Sequence, residues 1–148
     1  MIKKSDLNKF AKLLPLCSID LICRFRNKFL LVKRNNDPAK NKLCFVGGII
    51  QKDQSIVKNI KKIAKRELNI NIKKSQVEFS CFKKFVFSKN FNSRKVTTEY
   101  ISLLHNIELV ESDLKTIKLN ADHSNFFFLT KQQLINDKRV LEYIKKIF

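Results

Sequence analysis

The sequence predicts an α/β (α+β) fold in which a mixed β-sheet lies between helices. Apolar segments with strand character occur on both sides of one amphipathic stretch, which we expect to form a helix. A second helical segment follows the last apolar segment, so that helices are available for both faces of the sheet. The chain has 148 residues and is 44% hydrophobic, which is enough for one buried core, and we expect a single domain over residues 1–148.

The first part of the chain predicts a β-hairpin after a short N-terminal element. Residues 1–12 are polar and are consistent with either a short helix or an arm. Residues 16–25 are rich in Ile, Leu and Cys and predict a strand, and residues 29–34 return as its partner after a turn at Arg26. The Asn-Asn-Asp-Pro sequence at 35–38 predicts a loop.

The only two glycines of the chain, the pair Gly47-Gly48, separate an apolar strand from a polar loop. Because glycine lacks a Cβ, this pair indicates either a positive φ or a close approach of the backbone to a ligand. A helix is predicted after the loop, since apolar residues recur every three or four positions. Asp53 or Ser55 can cap its first turn, and Asn69 can take the left-handed conformation after its last.

The second half of the chain alternates apolar and polar segments. They predict a strand over residues 77–87 with a bend at Lys83-Lys84, and then a polar loop over residues 89–95. One long strand or a bent pair follows over residues 97–110, and a short aromatic strand over residues 124–129. Thr130 and Gln133 then form a capping box, which predicts a helix that continues with interruptions to Phe148.

The net charge of +18 favours anionic partners such as phosphorylated small molecules, nucleic acid or acidic membrane. The 31 Lys and Arg residues are spread along the chain and form no long block, so the footprint of a nucleic-acid interface is missing. We therefore do not expect nucleic acid as a specific partner.

The four cysteines lie in apolar surroundings and include no Cys-x-x-Cys pair. Structural zinc sites need closer ligand spacing, so we expect buried free thiols. The sequence shows no signal peptide and no apolar run of roughly twenty residues, which is the length needed to cross a bilayer. We expect a soluble, cytoplasmic protein with no membrane partner.

The loop and helix after the glycine pair resemble the Nudix box, the signature of hydrolases that act on nucleoside diphosphates linked to another group. In this pattern Gln54 stands at the first glutamate and Lys62-Ile63 at the Arg-Glu pair. Arg66-Glu67 stands at the Glu-Glu pair, and Asn69-Ile70 at the glycine and the following apolar residue. Glu67 is the one acidic metal ligand of the box that this sequence retains.

The flanking sequence resembles the GDP-mannose mannosyl hydrolase branch of this superfamily, which also carries a degenerate box. The resemblance covers nearly the whole chain in the same order. It rests on five segments: 14–20, 29–39, the glycine pair with Gln51-Lys52-Asp53, Thr97-Thr98 with Tyr100, and Asp122-His123 before the Phe-Phe-Phe-Leu-Thr strand. The resemblance implies a Nudix fold, a homodimer, and a nucleotide sugar of the GDP-mannose or GDP-fucose type as substrate.

The resemblance also implies one Mg²⁺ ion per active site. In the family a carbonyl of the glycine pair, the box glutamate and a glutamine before the catalytic histidine bind this ion. These positions correspond to Gly47, Glu67 and Asp122, and an aspartate in place of the glutamine keeps an oxygen donor that a hard cation accepts.

The catalytic positions follow from the same resemblance. His123 corresponds to the base that deprotonates water, and Asp20 to the carboxylate that contacts the sugar. Arg34 and Tyr100 correspond to side chains that steady the leaving phosphate, and Lys62 is a further candidate for binding the substrate. A family arginine just after the glycine pair is replaced by an isoleucine here, so one cation on the leaving group is missing.

Each of these residues also has a structural interpretation. Asp20 can be a buried acid paired with a lysine, His123 a loop residue, and Tyr100 part of the core. Two alternatives to the sugar hydrolase therefore remain: a Nudix-fold protein that binds a nucleotide, a sugar nucleotide or RNA without turnover, and a pyrophosphohydrolase that attacks phosphorus. The second alternative relies on box acids that this sequence lacks.

Overall fold

The centre of the fold is a seven-stranded mixed sheet. The computed structural model describes residues 3–88 and 97–148, and the polar loop predicted at 89–95 lies outside the described residues. The strands are β1 Leu16–Phe25, β2 Lys28–Arg34, β3 Leu43–Cys44, β4 Val46–Ile49, β5 Val77–Phe87, β6 Thr98–Glu108 and β7 His123–Thr130. Their main order is β3-β2-β1-β6-β5, and β4 pairs with β1 while β7 pairs with β2.

Helices before, between and after the strands complete the α+β architecture, and this fold class is confirmed. They are α1 Lys4–Leu13, α2 Ile56–Leu68, α3 Glu111–Thr116, α4 Lys131–Asn136 and α5 Glu142–Lys145, with a 3₁₀ turn at Lys74–Gln76. Of the residues that the structure describes, none belongs to a helix long and apolar enough to span a membrane.

Strand β1 brings the site together because it pairs on two sides. It runs parallel to β6 from Leu16 opposite Tyr100 onwards, and antiparallel to β4 with Asp20 opposite Gly47. Strand β2 pairs with β7, which places Arg34 opposite His123 next to a register shift. These three pairings place Asp20, Gly47, Tyr100, Arg34 and His123, five of the predicted site residues, on paired strands.

Helix α2 has the caps and the buried stripe that its sequence predicts. The Ser55 hydroxyl accepts a hydrogen bond from the Lys58 amide, and Asn69 has φ 59° in the left-handed region, so Ser55 and not Asp53 is the N-cap. The buried Asn59 side chain accepts a hydrogen bond from the Gln51 amide at 2.8 Å and donates one to the Ser55 carbonyl at 3.1 Å. Asn59 therefore ties the polar loop to the helix that follows it.

The remaining differences from the sequence expectations are small. Strand β5 has its irregularity between Phe79 and Cys81, where the register with β6 shifts, and not at Lys83-Lys84. Residues 98–108 form one long strand and not a bent pair. All four cysteines are free thiols, but Cys17 is exposed and only Cys23 and Cys44 are buried.

Candidate functional site

Most of the predicted site residues meet at one cavity of about 510 Å³. The cavity is lined by seven of the eight residues that the sequence singled out: Asp20, Arg34, Gly47, Glu67, Tyr100, Asp122 and His123. The eighth, Lys62, is exposed on α2 and does not line it. A single concave site therefore contains carboxylates, a histidine and two arginines, because Arg66 also contributes to the lining.

Asp20 is a buried carboxyl group in the middle of β1. Its Oδ2 accepts a hydrogen bond from the Ser102 hydroxyl at 2.9 Å. A Cβ at Gly47 would lie 2.1 Å from Asp20 Oδ1, so a glycine is required where the two strands pair. Burial raises the pKa of Asp20 to about 6, although the Ser102 hydrogen bond and the charge of Arg34 oppose this shift.

The raised pKa of Asp20 predicts that stability falls as pH rises. Its carboxyl has an ordinary pKa of 3.8 and a folded pKa of about 6, so the folded state binds more protons between these values. The free energy of unfolding should therefore decrease by about 2.5 kcal/mol between pH 3.8 and 7 relative to Asp20→Asn, which has no charge to bury. Urea titrations of both proteins across this range measure the difference, and parallel curves would contradict it.

Glu67 lies in the last turn of α2 and is buried, which is unusual for a glutamate near a helix C-terminus. Its Oε2 is 2.9 Å from His123 Nε2 and accepts a hydrogen bond from Asn120 Nδ2, also at 2.9 Å. Arg66 Nε donates a hydrogen bond to Oε1. Burial alone would raise the pKa of Glu67, but the hydrogen bonds and charges of His123 and Arg66 outweigh it and lower the pKa, so the side chain is a carboxylate at neutral pH.

His123 is buried at the start of β7 and forms a dyad with this carboxylate. Because a carboxylate can only accept, Nε2 carries the proton in the neutral ring and Nδ1 keeps its lone pair. Nδ1 is enclosed, and among the described residues it has no hydrogen-bond partner. The dyad fixes the ring orientation and leaves one basic nitrogen unused, which is the arrangement of a proton acceptor.

The three residues expected to bind Mg²⁺ do not form a metal site in this arrangement. The Gly47 carbonyl accepts a hydrogen bond from Arg66 Nη2 at 3.2 Å, and Glu67 is surrounded by Arg66, His123 and Asn120. Asp122 is exposed, and its Oδ1 accepts a hydrogen bond from Asn36 Nδ2. Residues 3–88 and 97–148 contain no group of three His, Cys, Asp or Glu side chains placed to hold a metal ion. The donor set does not fit the ion.

One wall of the cavity is aromatic, and apart from Tyr100 its residues were not predicted to belong to the site. Phe85 stacks on Tyr143 with ring centroids 4.0 Å apart, and on Tyr100 with centroids 5.5 Å apart. Phe87 meets Tyr100 edge to face at 5.8 Å. Burial raises the pKa of both tyrosines. Phe85 and Phe87 are two residues apart in β5, so the sequence indicates that they share one face of the sheet. It does not indicate that this face forms the wall of a cavity.

Arg66 also lines the site without having been predicted for it. It occupies the first position of the Glu-Glu pair of the Nudix box, so an arginine stands where a metal ligand is expected. The signal in the sequence was the positive charge of Arg66 at a position where the Nudix box has a negatively charged glutamate. Its two contacts, to Glu67 and to the Gly47 carbonyl, could not be derived from the sequence.

A mixed sheet with this loop and helix, beside a cavity lined by both charged and aromatic side chains, defines an α+β domain of the Nudix type. Residues 18–147 match the NUDIX domain family, and the chain belongs to this family. It is 32% identical over 71 residues to the ADP-ribose pyrophosphatase of Methanocaldococcus jannaschii. This match covers 47% of the chain and 42% of that protein, so it spans less than half of the relative's length.

Solved structures share the fold at low sequence identity. The MutT NUDIX hydrolase of Burkholderia pseudomallei has a TM-score of 0.73 and 12% identity, with 90% of this chain and 95% of that chain covered. The NUDIX domain of Shewanella oneidensis NrtR, a complex with ADP ribose, has a TM-score of 0.67 and 15% identity, with 99% and 95% covered. The predicted Nudix fold is confirmed, and the GDP-mannose branch stays a prediction.

Proposed function

We propose that this chain hydrolyses a nucleotide sugar of the GDP-mannose or GDP-fucose type by attack of water on the anomeric carbon. The products are GDP and the free sugar. The observation that supports this most directly is the combination, in one cavity, of the His123–Glu67 dyad and Asp20 with the cations Arg34 and Arg66. The two relatives named with ADP-ribose are consistent with a ligand in which a nucleoside diphosphate is linked to a sugar.

His123 serves as the general base in this proposal. Water is a weak nucleophile, and a positioned histidine that accepts its proton typically contributes about 10²–10⁴ in rate. Glu67 accepts the Nε2 hydrogen bond and stabilises the imidazolium that forms when Nδ1 takes the proton. Glu67 thus acts through His123 and does not contact the reacting atoms.

Arg34 and Arg66 bind the leaving group in this proposal. As the bond from the anomeric carbon to oxygen breaks, the diphosphate gains negative charge, and guanidinium groups in a partly enclosed site stabilise that charge. Asp20 accepts a hydrogen bond from a sugar hydroxyl or favours the oxocarbenium-like centre. Tyr100, with Phe85, provides an aromatic surface against which a planar or apolar face of the ligand packs.

Attack on carbon fits this site better than attack on phosphorus. Phosphorus attack in the family relies on several box acids that hold metal ions, and Gln54, Ile63 and Arg66 stand at three acidic positions of the box. The remaining Glu67 is engaged by Arg66 and His123. A reaction whose base is a protein side chain does not depend on those missing acids.

The products of GDP-mannose and GDP-fucose hydrolysis test this proposal. We expect free sugar and GDP, and in ¹⁸O-water the label should appear in the sugar and not in GDP. Reactions are run in parallel with Mg²⁺ and with EDTA, and the products are separated by ion-exchange chromatography. GMP with sugar phosphate would instead indicate phosphorus attack, and the absence of any product from either nucleotide sugar would contradict hydrolysis of this substrate class.

A second candidate function is binding of the same ligand class without turnover. It is favoured by one observation, namely that His123 Nδ1 is enclosed and so lies out of contact with solvent in this conformation. Equilibrium dialysis with radiolabelled GDP-mannose distinguishes the two functions, because a binding protein returns the intact nucleotide sugar. The homodimer and the involvement of Lys62 remain predictions from the family resemblance.

A further inference from the structure

The Arg66 guanidinium lies between two groups that were expected to bind a divalent cation. Its Nη2 donates a hydrogen bond to the Gly47 carbonyl at 3.2 Å, and its Nε donates one to Glu67 Oε1. Both acceptors are oxygen atoms, the donor type that Mg²⁺ prefers. We propose that Arg66 takes the place of the metal ion, so that this chain binds the diphosphate of its ligand through an arginine and without a divalent cation.

The second glycine of the pair fits this assignment. A Cβ at Gly48 would lie 2.7 Å from Arg66 Nη2 and 3.3 Å from Ile63 Cγ1. Gly48 does not have a positive φ, so its lack of a side chain is not needed for an unusual backbone conformation. It provides the space in which the guanidinium reaches the Gly47 carbonyl.

Charge and exposure also fit a cation that binds an anionic ligand. The Arg66 side chain is 41% exposed and lines the cavity, whereas Glu67 beneath it is 6% exposed. Nε and one N–H of Nη2 are used within the protein, and the remaining guanidinium donors have no acceptor among the described residues. A guanidinium with unused donors matches the geometry of phosphate oxygens.

The same contacts explain how one carboxylate is tolerated beside a diphosphate. Arg66 neutralises Glu67 from one side, as a metal ion would, and the dyad with His123 uses the other oxygen. An arginine carries one positive charge and a magnesium ion two. Arg66 alone therefore supplies less positive charge than the ion would. Arg34 on β2, which lines the same cavity, supplies a second positive charge. The identity of the anion rests on the proposed function, whereas the exclusion of the metal ion does not.

Binding of Mn²⁺ in the absence of nucleotide tests the exclusion of the metal. The free ion is followed by electron paramagnetic resonance in titrations of the wild type, Arg66→Glu and Lys65→Ala. Lys65 is the matched control, since it is an exposed cation next to Arg66 that does not line the cavity. The wild type and Lys65→Ala should bind no Mn²⁺, and Arg66→Glu, which restores the acid of the box, should gain a site.

Two results would overturn the exclusion. One is stoichiometric Mn²⁺ binding by the wild type that Glu67→Gln abolishes, because the glutamate would then hold the ion in the presence of Arg66. The other is the absence of Mn²⁺ binding by Arg66→Glu when circular dichroism shows it to be folded, because the position would then not be a cation site.

Calorimetric titration with GDP tests the second half of the inference. In EDTA and in Mg²⁺ the wild type should bind GDP with dissociation constants that agree within about twofold, while Arg66→Ala should weaken binding roughly tenfold or more. Lys65→Ala should bind like the wild type. GDP binding that requires Mg²⁺ would overturn the inference. If GDP fails to bind in either condition while the Mn²⁺ results are as expected, the diphosphate assignment fails together with the proposed function, and the exclusion of the metal stands.

Discussion

His123→Gln should lower kcat for nucleotide-sugar hydrolysis by about 10²–10⁴, because glutamine cannot take a proton from water at neutral pH. Glutamine can still donate a hydrogen bond to Glu67, so the fold and the affinity for substrate should be retained. Steady-state kinetics should therefore show a loss in kcat with a nearly unchanged KM. Thermal unfolding of the same preparations checks that the variant remains folded.

The other histidine provides the matched control for this variant. His105 is also buried, packs edge to face on Phe79, and does not line the cavity. His105→Gln should leave kcat within about twofold of the wild type, since it does not touch the proposed reacting groups. If His123→Gln retained full activity, His123 would not be the base, and the carboxylates that line the cavity, Asp20 and Asp122 among them, would be the candidates to test next.

Glu67→Leu should lower the free energy of unfolding by about 3 kcal/mol. Leucine has a similar volume, so the loss arises mainly because His123 and Asn120 lose the acceptor of their hydrogen bonds. The expected cost lies at the lower end of the range for broken buried ion pairs, since Arg66 is 41% exposed and can be solvated. Urea unfolding at neutral pH measures this change.

An exposed glutamate controls for the substitution itself. Glu142 in α5 forms an ion pair with Lys145 but its side chain is 77% exposed. Glu142→Leu should therefore change the free energy of unfolding by less than about 1 kcal/mol. Equal stability losses in the two variants would show that the buried contacts of Glu67 contribute no more than a surface ion pair.

Local sequence signals predicted most of the fold. The caps of α2 at Ser55 and Asn69 and the capping box at Thr130 are set by side chains a few residues from the helix ends, so they are visible in the sequence. The parallel pairing of β1 with β6 joins segments about eighty residues apart, and no local pattern in either strand specifies that neighbour. The position of the β5 irregularity likewise depends on its register with β6.

The candidate site was predicted residue by residue only where the family resemblance supplied a position. Asp20, Glu67 and His123 line one cavity, and their roles stay predictions. The substitution that changes the electrostatics of the site, Arg66, was visible as a mismatch to the Nudix box. The effect of this substitution depends on the hydrogen bond from the Arg66 guanidinium to the carbonyl of Gly47, which lies on another element. A contact between two separate elements could not be predicted from the sequence.

The aromatic wall allows ligand binding at the cavity to be followed by tyrosine fluorescence. The chain has no tryptophan and two tyrosines, and both Tyr100 and Tyr143 line the cavity, with Phe85 stacked against each of them. Intrinsic emission excited at the tyrosine band thus originates entirely at the cavity wall, with no background from distant chromophores. A guanine or a sugar bound against this wall should change the emission of both tyrosines, so its binding can be measured with the unlabelled protein.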